Sequence, residues 1–172
     1  LYINKSFTLE DLENTDPKLI KEMRDYYFSQ IESYKKNKSK KITIDKMPLN
    51  LVHVGEILRF FPNAKFILAL RHPYDCVLSC FMQNFMLNHA MANFLNLDDT
   101  LKLYDLTMSL WKKYTNVFKI DHHLIRYEDV VSNFKKTIED LLKFLNVKWS
   151  DNVIEFYKTA EKRGIINTPS YN

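Results

Sequence analysis

Residues 65–79 constrain this chain more than any other stretch. The apolar run Phe66-Ile-Leu-Ala-Leu70 lies between Lys65 and Arg71, Pro73 opens a new segment, and Ser79 follows eight positions after the arginine. An apolar run that stops at a charge and is followed by proline predicts a buried strand, a tight turn and a helix. An arginine at the carboxyl end of such a strand faces the crevice where open α/β sheets bind ligands. The next helix N-terminus adds partial positive charge and free N–H groups, which suits a phosphate, with Ser79 reaching in from near the second turn. The plainer reading is a solvated arginine and a helical serine with no ligand.

The flanking sequence extends this unit. Asp16-Pro17 predicts a helix start, and Leu19, Met23, Tyr26, Tyr27, Gln30, Ile31 and Tyr34 mark one face of that helix. Lys35–Lys41 reads as a basic connector: a solvated loop, or a surface attractive to an acidic acceptor. Ile42–Asp45 is expected to be a short β-branched strand. Pro48 begins a helix with Leu51, Val54, Leu58 and Phe61 on one face, and Phe61-Pro-Asn63 makes a turn. The strand Lys65–Leu70 leads to a helix from Tyr74 to about Asn88. Asp98-Asp99 opens another helix, His122–Tyr127 reads as a third strand, and Phe134, Ile138, Leu141, Leu142 and Leu145 mark a strongly periodic helix. Trp149-Ser150-Asp151 caps a last short helix that Gly164 closes, and residues 165–172 read as a loop. Strands alternating with helices predict an α/β domain of three layers, a parallel sheet flanked by helices. Lys46, Arg71 and Tyr127 then lie at three successive strand ends facing one crevice. Each also has a plainer reading, as a surface lysine, a strand-end arginine or a half-buried tyrosine.

The composition bounds the function. With 172 residues, 46% of them apolar and 14% aromatic, the chain is globular and long enough for a single domain over residues 1–172. A net charge of +4 suits a small anionic ligand and does not argue for nucleic acid. Cys76 and Cys80, four apart in a predicted helix among apolar neighbours, read as reduced core thiols. No metal-ligand spacing occurs, and the adjacent His122 and His123 point to opposite faces of a strand, so no metal is expected. No run approaches the ~18 apolar residues of a membrane span, and a cytoplasmic location is expected. The chain, beginning at Leu1 and ending at Asn172, reads as an internal piece of a larger protein or of a partly ordered one, and so as a partial domain without its N-terminal strand-loop and C-terminal end.

Four segments carry a resemblance. They are Asp45-Lys-Met-Pro-Leu-Asn50, the run from Phe61 to Cys80, Arg126-Tyr-Glu-Asp-Val-Val131, and Arg163-Gly-Ile-Ile-Asn-Thr-Pro-Ser170. In this order they resemble the sulfotransferases that use PAPS (3′-phosphoadenosine 5′-phosphosulfate), in the bacterial, often tetratricopeptide-linked branch related to tyrosylprotein sulfotransferases. The resemblance spans most of the chain from residue 42 onward. It implies a P-loop-like sulfotransferase fold and PAPS as co-substrate, with 3′,5′-ADP as product. It implies that Arg71 and Ser79 hold the donor's 3′-phosphate and that Tyr127 lies near the nucleotide. Lys46 would stabilise charge at the transferring group, with Ser170 of the late loop contacting the donor near that group. The implied reaction is in-line displacement at sulfur by an acceptor hydroxyl, in which the protein positions the partners and stabilises spreading charge.

The chain also departs from that pattern. The family's Pro-x-Ser-Gly-Thr-Thr loop, which wraps the 5′-phosphosulfate, is absent: the two glycines are Gly55 and Gly164. That loop, and the glutamate base that follows it in the tyrosylprotein branch, would precede Leu1. His53, His89 and Asp45 are substitutes for the base on chemistry alone. The missing loop keeps open a non-catalytic nucleotide- or anion-binding module. A P-loop kinase relative shares the architecture, but no Gly-Lys-Ser/Thr element is present. The acceptor is a peptide tyrosine, a carbohydrate or a small molecule.

Overall fold

A computed structural model describes residues 9–34 and 42–158. In chain order the helices and strands are α1 (Leu9–Glu13), α2 (Pro17–Tyr34), α3 (Val54–Phe60), β1 (Phe66–Leu70), α4 (Pro73–Met82), α5 (Leu97–Val117), β2 (His122–Arg126), α6 (Tyr127–Ser132) and α7 (Phe134–Phe144). Short 3-10 helices span Pro48–His53, Met91–Phe94 and Asp151–Val153. The protein is thus a mixed α/β structure with helices around a parallel two-stranded sheet. The described residues fall into two compact units, one within Leu1–Ala64 and Leu110–Phe118, the other within Lys65–Ser109 and Lys119–Asn172.

The first unit begins with α2, for the reason Asp16-Pro17 suggests. Pro17 occupies the first turn, where its missing N–H costs nothing, and Asp16 Oδ1 accepts the Lys18 N–H at 2.8 Å. Arg24 Nε donates to the Phe60 carbonyl at 2.7 Å, and Tyr27 packs its ring 5.0 Å from that of Phe61. The chain entering α2 is held by Arg59, which donates to the carbonyls of Leu12, Glu13 and Thr15, each at 3.3 Å. Ile20, Val54 and Trp111 are buried here. Burying an aliphatic side chain such as Ile20 or Val54 stabilises the fold by about 1.5–3 kcal/mol. Gly55 lies against Tyr114, whose hydroxyl donates to the Val52 carbonyl at 2.9 Å.

The second unit contains the sheet. β1 and β2 pair in parallel, from Phe66 opposite His122 to Leu70 opposite Arg126. Leu68 is buried on β1 while its register partner Leu124 on β2 is exposed, so β1 and β2 are covered on opposite faces. α7 packs on β2 and α6, and the Phe144 ring stacks on His123 at 5.4 Å. Asn146 ends α7 in the left-handed region at φ 55°. That conformation lets the Asn146 and Val147 N–H groups bond back to Lys143 and Leu142 at 3.1 and 2.8 Å, satisfying carbonyls the helix would leave open. Lys65 adds a further cap, donating to the Phe144 carbonyl at 2.6 Å.

Tyr127 opens α6 rather than closing the third strand, and two further expectations are corrected. Ile42–Asp45 forms no strand; residues 42–47 lack regular structure, and Ile42 and Ile44 are exposed. β-branched residues favour an extended backbone, but a strand also needs a ladder partner. Lys46 therefore does not follow a strand. The second correction is that α4 stops at Met82 and not near Asn88. Gln83 turns extended at ψ 139° and returns its N–H to the Cys80 carbonyl at 3.3 Å. Gly164 and residues 165–172 lie outside the described residues, as does the connector Lys35–Lys41.

Candidate functional site

The parallel register places the residues after β1 and β2 side by side. Leu70 is opposite Arg126, so Arg71 and Tyr127 leave the ladder together. The Arg71 guanidinium lies over the Tyr127 ring, 5.0 Å from its centroid. An exposed cation–π contact of this kind is worth about 0.5–1 kcal/mol, and it orients the arginine. Arg71 Nε also pairs with Asp75 Oδ2 at 3.3 Å, with side chains 46% and 53% exposed. Solvent screens this pair, and among the described residues it engages only Nε.

α4 begins beside Arg71. Pro73 sits in its first turn, and the His72 ring caps the helix by accepting the Tyr74 N–H on Nδ1 at 3.3 Å. Ser79 lies on the exposed side of α4, and Val77 is buried. Cys76 and Cys80 are free thiols, partly buried on this helix. Burial pushes both thiols up; at Cys76 the Arg71 charge pulls the other way by less.

A residue missed in the sequence ties the two strand ends together. Glu128, in the first turn of α6, accepts the His72 backbone N–H on Oε1 at 2.8 Å. Its carboxyl is held below the usual range, first by its own backbone N–H and then by that of His72. Oε2 is shut off from solvent and has no hydrogen-bond partner among the described residues. The ion is thus anchored at one oxygen and confined at the other. A glutamate at a helix start is a legible signal, but its partner lies 56 residues away and only the strand register reveals it.

The structure brings together Arg71 and Tyr127 and places Ser79 on the neighbouring helix. Lys46 belongs to the first unit, exposed in the segment 42–47. Ser170 lies outside the described residues. Of the alternative bases, His53 is exposed with Nδ1 3.5 Å from Glu56, His89 is exposed in the second unit, and Asp45 accepts the Tyr27 hydroxyl at 2.9 Å. Among the described residues no cluster of three or more His, Cys, Asp or Glu could hold a metal ion, and no helix is long and apolar enough to cross a membrane.

An arginine braced at adjacent parallel strand ends, beside a helix N-terminus, defines an α/β protein with a candidate anion-binding corner. The family model described as "Sulfotransferase family" matches residues 4–151, and the chain belongs to that family. A similar protein from Aquifex aeolicus (strain VF5), described as "Uncharacterized protein", is 30% identical over 148 residues, covering 84% of this chain and 19% of its own length. The chain therefore spans about a fifth of the length of that curated relative.

Proposed function

We propose that this protein transfers a sulfuryl group from PAPS to an acceptor hydroxyl and releases 3′,5′-ADP. The observation that carries the reading is the Arg71 guanidinium held over Tyr127 at the strand-end corner, in a chain that belongs to the sulfotransferase family. Arg71 offers a planar, permanently charged donor set to the donor's 3′-phosphate, and Ser79 adds a hydroxyl from α4. Tyr127 braces the arginine and borders the nucleotide. Lys46 stabilises charge on the oxygen that leaves sulfur, and Ser170 contacts the donor near the same group. The branch related to tyrosylprotein sulfotransferases is part of this proposal, as is a single, partial sulfotransferase domain over residues 1–172.

The chemistry asks for positioning and charge stabilisation more than for covalent help. Charge spreads from sulfur onto the bridging oxygen as the bond breaks, and a nearby ammonium acts on that charge in the transition state. Isothermal titration with 3′,5′-ADP is the direct test, paired with a transfer assay using radiolabelled PAPS. Binding and transfer together support the reading, and absence of nucleotide binding sinks it. A second reading, a nucleotide-binding module without transfer, is favoured by the lack of a glycine-rich phosphosulfate loop in these 172 residues. It predicts binding of 3′,5′-ADP with no labelled product.

A further inference from the structure

The strand-end corner of the second unit is electrostatically balanced. The charges that act on its Cys76 and Glu128 include Arg71, Asp75 and Arg126, with Glu128 itself the second carboxylate. The two guanidinium groups and the two carboxylates cancel, and Asp129, exposed next on α6, adds only negative charge. Arg71 is thus set in surroundings with no excess positive charge to offer an anion. His72 stands in the same turn, between Arg71 and Pro73. Its Nδ1 accepts the Tyr74 N–H at 3.3 Å, and its exposed ring meets the Tyr74 ring edge-on at 5.2 Å. A backbone N–H can only donate, so in this pose Nδ1 carries a lone pair and the neutral ring has its proton on Nε2. Glu128 Oε1 meanwhile holds the His72 backbone N–H at 2.8 Å, and Oε2 is shut off from solvent with no hydrogen-bond partner among the described residues.

We propose that His72 is a proton switch for this corner, and that binding of the 3′-phosphate beside Arg71 is coupled to uptake of a proton by the His72 ring. The proposal rests on the sulfotransferase reading for the identity of the anion. When Nδ1 takes a proton from solvent its lone pair is used, and the bond from the Tyr74 N–H is lost. The new Nδ1–H finds an acceptor in Glu128 Oε2, whose carboxylate is already fixed to the same residue through Oε1. The ring exchanges a helix cap for an ion pair, and the Tyr74 N–H is left to water at the exposed start of α4. The corner then carries an excess positive charge one residue from Arg71, and Glu128 no longer repels an arriving anion. Between pH 5 and 8, where histidine side chains ordinarily titrate, the guanidinium groups keep their charge. Burial holds the Cys76 thiol protonated there, and backbone N–H groups hold Glu128 ionised. The coupling is reciprocal: the proton tightens nucleotide binding, and bound nucleotide favours the proton by the same factor.

The test is calorimetric titration with 3′,5′-ADP at several values between about pH 5 and 8, each in two buffers of different ionisation enthalpy, on the unmodified protein and on His72→Asn. Asparagine keeps an acceptor for the Tyr74 N–H and is a good cap, but it takes no charge. The phosphates of the nucleotide titrate alike in both experiments, so the difference between the proteins isolates His72. The unmodified protein should take up more protons on binding than the variant. Its affinity relative to the variant's should rise roughly fivefold from the top of the range to the bottom, the low end of usual coupling factors. A ring that only caps α4 would change affinity by one factor at every pH and take up no extra proton. NMR of the assigned His72 ring nitrogens in the unmodified protein needs no variant. At constant pH within the range, saturating 3′,5′-ADP should move them from the Nε2–H tautomer toward the imidazolium. Equal proton uptake by the two proteins, a ratio of affinities that does not change with pH, or ring signals that nucleotide leaves in place would each overturn the proposal and leave the sulfotransferase reading standing. Failure of the unmodified protein to bind 3′,5′-ADP anywhere in the range overturns that reading first, and this proposal with it.

Discussion

The Arg71 guanidinium rests over the Tyr127 ring, 5.0 Å from its centroid, because the residues before them pair in one parallel ladder. The ring gives the arginine a direction that solvent alone would not. If this corner holds a 3′-phosphate, Arg71→Ala weakens 3′,5′-ADP binding by roughly 2–3 kcal/mol, the scale of a lost charged hydrogen bond. Arg71→Lys recovers part of that loss, since an ammonium keeps the charge but not the fork. Tyr127→Phe retains the ring and should bind nearly as well, whereas Tyr127→Ala loses a further contact worth about 0.5–1 kcal/mol. Isothermal titration of the four variants checks the order, and equal affinities for Arg71→Ala and the unmodified protein would dismiss the corner as a phosphate site.

Glu128 links that corner to α4 through His72. Its folded-state carboxyl titrates below the ordinary 4.5, so the unfolded chain takes up this proton first as pH falls. The stabilisation is present in full above about 4.5 and disappears as pH drops through the lower folded value. Glu128→Gln keeps an acceptor for the His72 N–H but has no charge to lose. Its urea midpoint should fall less steeply across that acid window, and parallel curves for variant and parent would show that the charge contributes nothing. Glu128→Ala frees the His72 N–H and should loosen the turn carrying Arg71, lowering nucleotide affinity more than Glu128→Gln does.

Gly55 offers a test of packing in the first unit. A Cβ there would meet Tyr114 Cε1 at 3.1 Å, and the ring cannot retreat freely because its hydroxyl is bonded to Val52. Alanine is favoured over glycine in a helix by about 1 kcal/mol, but overpacking costs about 1–3 kcal/mol. Gly55→Ala should therefore destabilise by about 1 kcal/mol by denaturant titration. The same substitution in a Tyr114→Leu background should be neutral or stabilising, and an identical effect in both backgrounds would exclude the clash.

The two cysteines should behave as protected thiols. Burial raises both, so little thiolate exists near neutral pH. Iodoacetamide should label the folded protein much more slowly than the urea-unfolded chain. Fast labelling of Cys76 in the folded state would mean that the Arg71 charge outweighs burial.

Much of the local structure is legible residue by residue. The apolar spacing on α2 and α7 marks helices because each turn reports its own exposed and covered sides. Asp16-Pro17 marks a start because capping is settled within three residues. Ile42–Asp45 misleads for the same local reason: its residue types favour extension, yet the described structure pairs β1 with β2 and leaves the segment outside the ladder. α6 was not foreseen as a helix, although Glu128 and Asp129 stand in its first turn.

The candidate site divides along the same line. Arg71, Ser79 and Tyr127 could be singled out from the order of their motifs in the chain. Their sequence by itself determined which residue types stand at the strand ends and the helix start, since those follow from short-range patterns. Only the tertiary structure decided that Tyr127 lies under Arg71, that Glu128 holds the His72 N–H, and that Asp45 meets the Tyr27 hydroxyl. Each is a contact between residues far apart in the chain, and register and helix packing set its geometry.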